Sequence, residues 1–295
     1  MATRIERNNL FKGMAFLSPW LIGFAVFTAI PLGMSLYYSF CDFSLLQGPV
    51  FTGWANYRSL MHDSVFWKVN GNTCLYAVRA LPIGLMLALM FALLLNIRIR
   101  GQSVYRTLIF LPSLVPAAAS AMLWLWLFNT KLGLVNFVLR ELGMSDPPGW
   151  LTDARFALPS LVLISFWGVG NTVIIFLAGL QDVPQDLYEA AELDGASVLQ
   201  SLRHVTLPSI SPVIFFNLIM GIIGTLQVFT LPFIMTQGGP ARATYLYTEY
   251  MYDNAFGYLK MGYASAMAWI QLLIILGLTL LAFSTSRRWV YYQGK

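Results

Sequence analysis

The residues best placed to do chemistry are Glu189-Ala190-Ala191-Glu192-Leu193-Asp194-Gly195 and, nine residues later, Val205-Thr206-Leu207-Pro208. They supply carboxylates, a small alanine face, a glycine and a leucine-proline step. None of these makes a nucleophile or a proton relay. Glu189 and Glu192 can pair with a basic partner surface, while Ala190 and Ala191 let a second polypeptide approach closely. The chemistry on offer is recognition. The chain holds two histidines, His62 and His204, and neither has neighbours spaced as metal ligands or as a nucleophile with its base. No Gly-x-x-x-x-Gly-Lys-[Ser/Thr] loop occurs; the sole Gly-Lys step is Gly294-Lys295. No catalytic residue, metal site or bound cofactor is therefore expected.

Two short helices must position these residues. Pro184 suits a first helical turn, and residues 185–193 are good helix formers. Leu187, Ala190, Ala191 and Asp194 then share one face. Gly195 ends that helix, Ser197 caps a second one running through Val205, and Pro208 marks the entry to an apolar segment. An amphipathic surface loop would show parts of this pattern. The complete series, Glu-Ala-Ala, three residues, Gly, nine residues, an aliphatic, one residue and Leu-Pro, is more specific.

The surroundings are those of a membrane. Of 295 residues, 58% are hydrophobic and 11% charged, and the mean hydropathy is +0.66. Soluble chains carry roughly 25% charge. Six segments reach the roughly 20 apolar residues a spanning helix needs: about 14–38, 73–96, 106–129, 157–180, 209–235 and 262–284. Arg4, Arg7, Lys12, Arg98, Arg100, Arg106, Arg203, Arg287, Arg288 and Lys295 fall on one side, in about sixty residues of loop and tail. Arg58, Lys68, Lys131, Arg140, Arg155, Arg242 and Lys260 fall on the other, in about eighty. Both termini and the 182–208 loop are thus expected in the cytoplasm. The outer connections, near 39–72, 130–156 and 236–261, are rich in Trp, Tyr, Gly and Pro, and their aromatics read first as interfacial anchors. The net charge of +5 is scattered, with no basic run to suggest nucleic acid. Cys41 and Cys74 fall near the same membrane face, so either a disulfide or two separate packing residues fits.

With its coupling-type loop before the next-to-last span, the chain resembles the sugar-type permeases of binding-protein-dependent ABC importers. That group includes the larger maltose-permease subunit and the first glycerol-phosphate permease. Further matching segments are Leu17-Ser18-Pro19, Phe110-Leu111-Pro112, Phe176-Leu177-Ala178-Gly179-Leu180-Gln181, Thr236-Gln237-Gly238-Gly239-Pro240 and Gly262-Tyr263-Ala264-Ser265-Ala266. The last two point to the carbohydrate branch. The resemblance implies an all-α integral membrane protein with six transmembrane helices and the type I, maltose-permease-like fold. Residues 1–72 would carry the N-terminus, first span and outer loop. Residues 73–284 would form the transport core with its coupling loop, and 285–295 a cytoplasmic tail. Glu189, Ala190, Ala191, Asp194, Gly195, Leu207 and Pro208 would contact the ATPase. The implied partners are a second permease of the same fold, two ATPase subunits that carry ATP and magnesium, and an extracytoplasmic solute-binding protein. The implied place is a bacterial or archaeal cytoplasmic membrane.

A substrate path needs polar groups inside the spans. Asn171 follows Trp167-Gly168-Val169-Gly170 in the fourth span; Asn217, Gly221, Gly224, Thr225 and Val228 share a face of the fifth, with Gln227 beside them. Carried over from the maltose permease, the path would be Trp167, Gly168, Asn171, Gly221, Gly224, Thr225 and Val228, with Gln227 as a further donor. Helix packing accounts equally for the Gly221/Thr225 small-residue pair, and interhelical hydrogen bonding for Asn217 and Gln227. Arg79 is the single charge deep in a span and either snorkels or meets an anion. The expected function is ATP-driven carbohydrate import. The alternatives are a glycerol-phosphate or polyol importer and, from another class, an ATP-independent carrier. Such a carrier would bury acids in its spans, whereas every Asp and Glu here lies in a loop or tail.

Overall fold

The structure, a computed structural model, describes residues 4–97 and 99–291. Arg98 and Lys295, both counted among the cytoplasmic charges, lie outside the described residues. The six segments take the form of four continuous helices and two bent pairs. The chain divides into two compact units.

The first unit comprises residues 1–63 and 251–272. Its span Lys12–Ser39 contains a π-helical turn at Ala25–Ala29, immediately before Pro31. Proline lacks an N–H and crowds the carbonyl four residues back, and a wider turn relieves that conflict. After this span the chain departs from the all-helical reading. Strands Cys41–Ser44 and Gln47–Phe51 pair antiparallel, followed by a helix at Ala55–His62. Asn56 clips the junction by donating to the carbonyls of Ser39 (3.0 Å) and Cys41 (2.8 Å). The Gly262-Tyr263 motif belongs to the same junction. A β-carbon at Gly262 would collide with the Cys41 carbonyl oxygen, and the Tyr263 hydroxyl donates to Asp63 at 2.6 Å.

The second unit holds residues 64–250 and 273–295. Its first helix, Ser64–Asn96, starts nine residues earlier than 73, so Lys68 rides on the helix and Arg79 sits near its middle, exposed. Asn72 and Thr73 explain the extension. Asn72 donates to the carbonyls of Arg242 (2.8 Å) and Tyr245 (3.0 Å), and the Tyr247 N–H donates to the Thr73 hydroxyl (2.9 Å). These bonds hold the Gly238-Gly239-Pro240 loop, where Gly238 has φ +74° and a β-carbon would stand 2.6 Å from the Tyr245 ring. Beyond it Tyr247 and Glu249 are buried, and burial pushes the Tyr247 hydroxyl well above the ordinary tyrosine range.

The third segment is not one straight helix: Gln102–Leu114 and Ala117–Leu127 meet at 96° around Val115-Pro116. Pro116 cannot continue the hydrogen-bond ladder, and the residue before a proline is driven out of helical geometry; Val115 has ψ 127°. The fourth bends by 48° between Ala154–Gly168 and Gly170–Gln181. There Gly170 comes so close to the third segment that a β-carbon would lie 2.7 Å from the Ile109 carbonyl oxygen. Two buried clusters hold the helices. One contains Tyr76, Phe128, Leu158 and Leu161, and the other Ala88, Ala92, Phe176, Leu177 and Leu180. The second absorbs Phe176, Leu177 and Leu180 of the Phe176–Gln181 motif; Gly179 admits Val213, whose Cγ2 would stand 2.7 Å from an added β-carbon.

Trp150, expected as an interfacial anchor, packs against the cluster around Phe128. Its indole donates to Asn136 at 2.6 Å and stacks on Phe128 at 5.2 Å between centroids. Asn136 is fully buried and donates in turn to the carbonyls of Thr130 and Pro148. Cys41 is buried, Cys74 exposed, and both are free thiols, so the disulfide is not formed.

Candidate coupling loop and translocation cavity

The loop between the fourth and fifth spans folds as its sequence dictates. Helix Gln185–Leu193 follows Pro184, which occupies the N-cap. Gly195 ends it at φ +76°, with its own N–H on the Glu192 carbonyl (3.0 Å) and the Ala196 N–H on that of Ala191 (2.9 Å). This is a Schellman termination, which requires the left-handed residue that glycine provides at least cost. Ser197 then caps Val198–Ser201 through a reciprocal pair: the Gln200 N–H donates to the Ser197 hydroxyl, and the Ser197 N–H to the Gln200 side chain at 2.7 Å. A π-helical turn at Leu202–Thr206 and a short helix at Leu207–Ser209 lead to the fifth span.

Glu189, Ala190, Asp194 and Gly195 are exposed, and Ala191 is half-buried. Leu207 and Pro208 are placed differently. Leu207 packs against the cluster around Phe176 and Ile210, and Pro208 opens the short helix at the root of the loop. Both are half-buried at the root of the loop, whereas the residues of its tip are exposed. Residues that the sequence pattern passes over make up the tip: Leu193 is 90% exposed, Val198 89% and Leu199 73%. Tyr188 is a second such residue. Its hydroxyl lies 3.0 Å from that of buried Thr206, tying the two arms together.

A cavity of about 390 Å³ lies between the second, fourth and fifth spans. Of the residues carried over for the substrate path, Gly168, Asn171, Gly221 and Thr225 line it. Trp167, Gly224, Gln227 and Val228 stand outside its lining. The tight turn Phe166–Gly168 directs Trp167 edge-on to Trp124, centroids 6.0 Å apart. The fifth span's helix Ser211–Leu226 ends before Gln227, so helical spacing no longer relates Val228 to Thr225; Val228 packs on the cluster around Tyr76 and Phe128. Tyr76, Ser165, Thr172 and Asn217 line the cavity as well. Of these, Tyr76 is signalled by the Tyr76-Ala80-Gly84 spacing, which places polar and small residues on one helix face. Thr225 donates to the Gly221 carbonyl (2.7 Å) and buried Asn217 to that of Val213 (3.0 Å). Their remaining oxygen lone pairs can accept. Gly221 also serves packing, since a β-carbon there would strike Leu81 of the second span. No charged side chain lines the cavity among the described residues.

No group of three or more His, Cys, Asp or Glu side chains able to hold a metal occurs among the described residues. The profile of binding-protein-dependent transport system inner membrane components matches residues 80–292. The chain is 40% identical to the probable ABC transporter permease protein YesP of Bacillus subtilis (strain 168), over 99% of this chain and 95% of that relative. It is 31% identical to the trehalose/maltose transport system permease protein MalF of Thermococcus litoralis, over 97% of each. In fold it matches a chain of a bacterial ABC transporter involved in the import of the acidic polysaccharide alginate. The TM-score is 0.84 at 24% identity, covering 95% of this chain and 99% of that one. The chain belongs to the family of binding-protein-dependent transport system inner membrane components, the permease subunits of ABC transporters.

Proposed function

We propose that this permease passes an uncharged carbohydrate across the cytoplasmic membrane, with its 182–208 loop seated on a separate ATPase subunit. One observation carries the reading. Leu193, Val198 and Leu199 form an apolar tip, exposed outside the spans, on a loop whose corner and cap are both rigidly specified. An exposed apolar cluster of this kind marks a docking surface. Glu189 and Asp194 beside it suit basic residues of the partner, and Ala190, Ala191 and Gly195 permit close approach. Leu207 and Pro208 transmit movement of the tip to the fifth span. ATP and magnesium stay on the partner ATPases, of which two serve the complex.

The cavity wall favours carbohydrate over glycerol phosphate. It offers hydroxyl and amide groups of Tyr76, Asn171, Thr172 and Thr225 and no cation among the described residues. A phosphate ester would require one. The wall is open, and a second permease of the same fold would complete it; a solute-binding protein would deliver the sugar from outside. The inferred orientation places both termini and the loop in the cytoplasm. The test is hydrolysis by the purified chain alone and after reconstitution with its ATPases, second permease and binding protein. The chain alone should hydrolyse no ATP, and the complex should couple hydrolysis to uptake of a neutral sugar. Hydrolysis by the lone chain, or uptake without ATP, would overturn the assignment.

A further inference from the structure

A second cavity, of about 530 Å³, lies at the root of the loop and shares no lining residue with the first. Its polar wall comprises Asn96, Gln102, Arg106, Gln181, Gln185 and Tyr188. This is one guanidinium, four amides and a phenol, with no carboxylate. Gln102 fixes the wall by donating to the carbonyls of Leu95 (2.6 Å) and Ile97 (3.2 Å). Arg106 is half-buried, and its Nε is shielded from solvent without a hydrogen-bond partner. Among the described residues it has no carboxylate within ion-pair distance. Arginine stays charged at any physiological pH, and a shielded, unpartnered guanidinium N–H is costly. Oxygens of an anion would satisfy it, and phosphate, like carboxylate, matches the guanidinium fork.

We propose that this cavity binds a phosphate group through Arg106 and the surrounding amides. The group comes from an anionic phospholipid of the adjoining leaflet or from a soluble phosphate. Asn96, Gln102 and Arg106 belong to the second and third spans and their junction, whereas Gln185 and Tyr188 belong to the first arm of the loop. A bound phosphate therefore bridges loop and spans and stiffens the element through which movement passes. That consequence rests on the coupling reading above; the binding itself does not.

Native mass spectrometry of the purified chain, with phosphatidylglycerol or phosphatidylcholine added, tests the lipid source. Thermal unfolding with and without inorganic phosphate tests the soluble one. Preferential retention of phosphatidylglycerol, falling about tenfold in Arg106→Gln, supports a lipid phosphate. A rise in unfolding temperature with inorganic phosphate, absent in the same variant, supports a soluble one. If Arg106→Gln does not fold, Gln181→Glu serves instead, because a carboxylate in the wall should repel either anion. No preference between the lipids together with no response to phosphate overturns the proposal. So does binding unchanged in every variant that folds.

Discussion

Replacing Gly195 isolates the backbone contribution to coupling. Gly195 holds φ +76°, and a β-carbon built there meets nothing within 4 Å. Substitution thus adds no clash inside the chain, and its cost is conformational. For a residue with a β-carbon the left-handed region costs about 1 kcal/mol or somewhat more, a factor of about five in population. Gly195→Ala should lower the equilibrium constant for the correct corner by about fivefold. Substrate-stimulated hydrolysis and uptake should fall accordingly in the reconstituted complex. Asparagine tolerates this region better, so Gly195→Asn should recover most of the loss. Gly195→Leu carries the same backbone cost and also adds bulk on the face proposed to dock the ATPase. It should therefore abolish coupling while the isolated chain unfolds at nearly the temperature of the alanine variant. Near-normal uptake by Gly195→Leu at equal membrane abundance would refute the role of the loop. Equal impairment of the alanine and asparagine variants would refute the conformational argument.

Other outcomes follow from single contacts. Tyr188→Phe removes the hydroxyl that ties the loop's arms and should cost about 1 kcal/mol locally, read as faster hydrogen exchange across 185–206 with the spans unchanged. Asn72→Leu leaves the Arg242 and Tyr245 carbonyls without their donor. It should destabilise the Gly-Gly-Pro loop by about 2 kcal/mol, seen as protease cleavage near 236–245. Gly170→Val would drive a side chain against the Ile109 carbonyl, so folded protein in the membrane should drop sharply, whereas Gly224→Val, in open space, should leave it unchanged. With Cys41 and Cys74 replaced by serine, a Ser197→Cys probe should resist an impermeant external thiol reagent in intact cells; labelling from outside would reverse the topology.

Much of this molecule is local and therefore legible in its residues. Hydropathy located six apolar segments, because a bilayer demands about 20 apolar residues wherever the chain crosses it. The Glu-Ala-Ala–Gly series specified helix, corner and helix, because a Schellman glycine and a serine cap act within a few residues of themselves. The cavity was only half legible. Gly221 and Thr225 were readable from helical spacing and Asn171 as a polar residue inside a span, but helical spacing holds only while the helix continues, and it stops at Leu226. Gln227 and Val228 stand outside the cavity's lining, and the turn at Phe166–Gly168 sets Trp167 against Trp124. Tertiary structure alone decided the early start of the helix at Ser64. It depends on contacts between residues far apart in sequence, where Asn72 meets the carbonyls of Arg242 and Tyr245. The same holds for Arg106: its sequence marks a membrane-edge cation, and only the packing of two helix ends and a loop encloses it among amides.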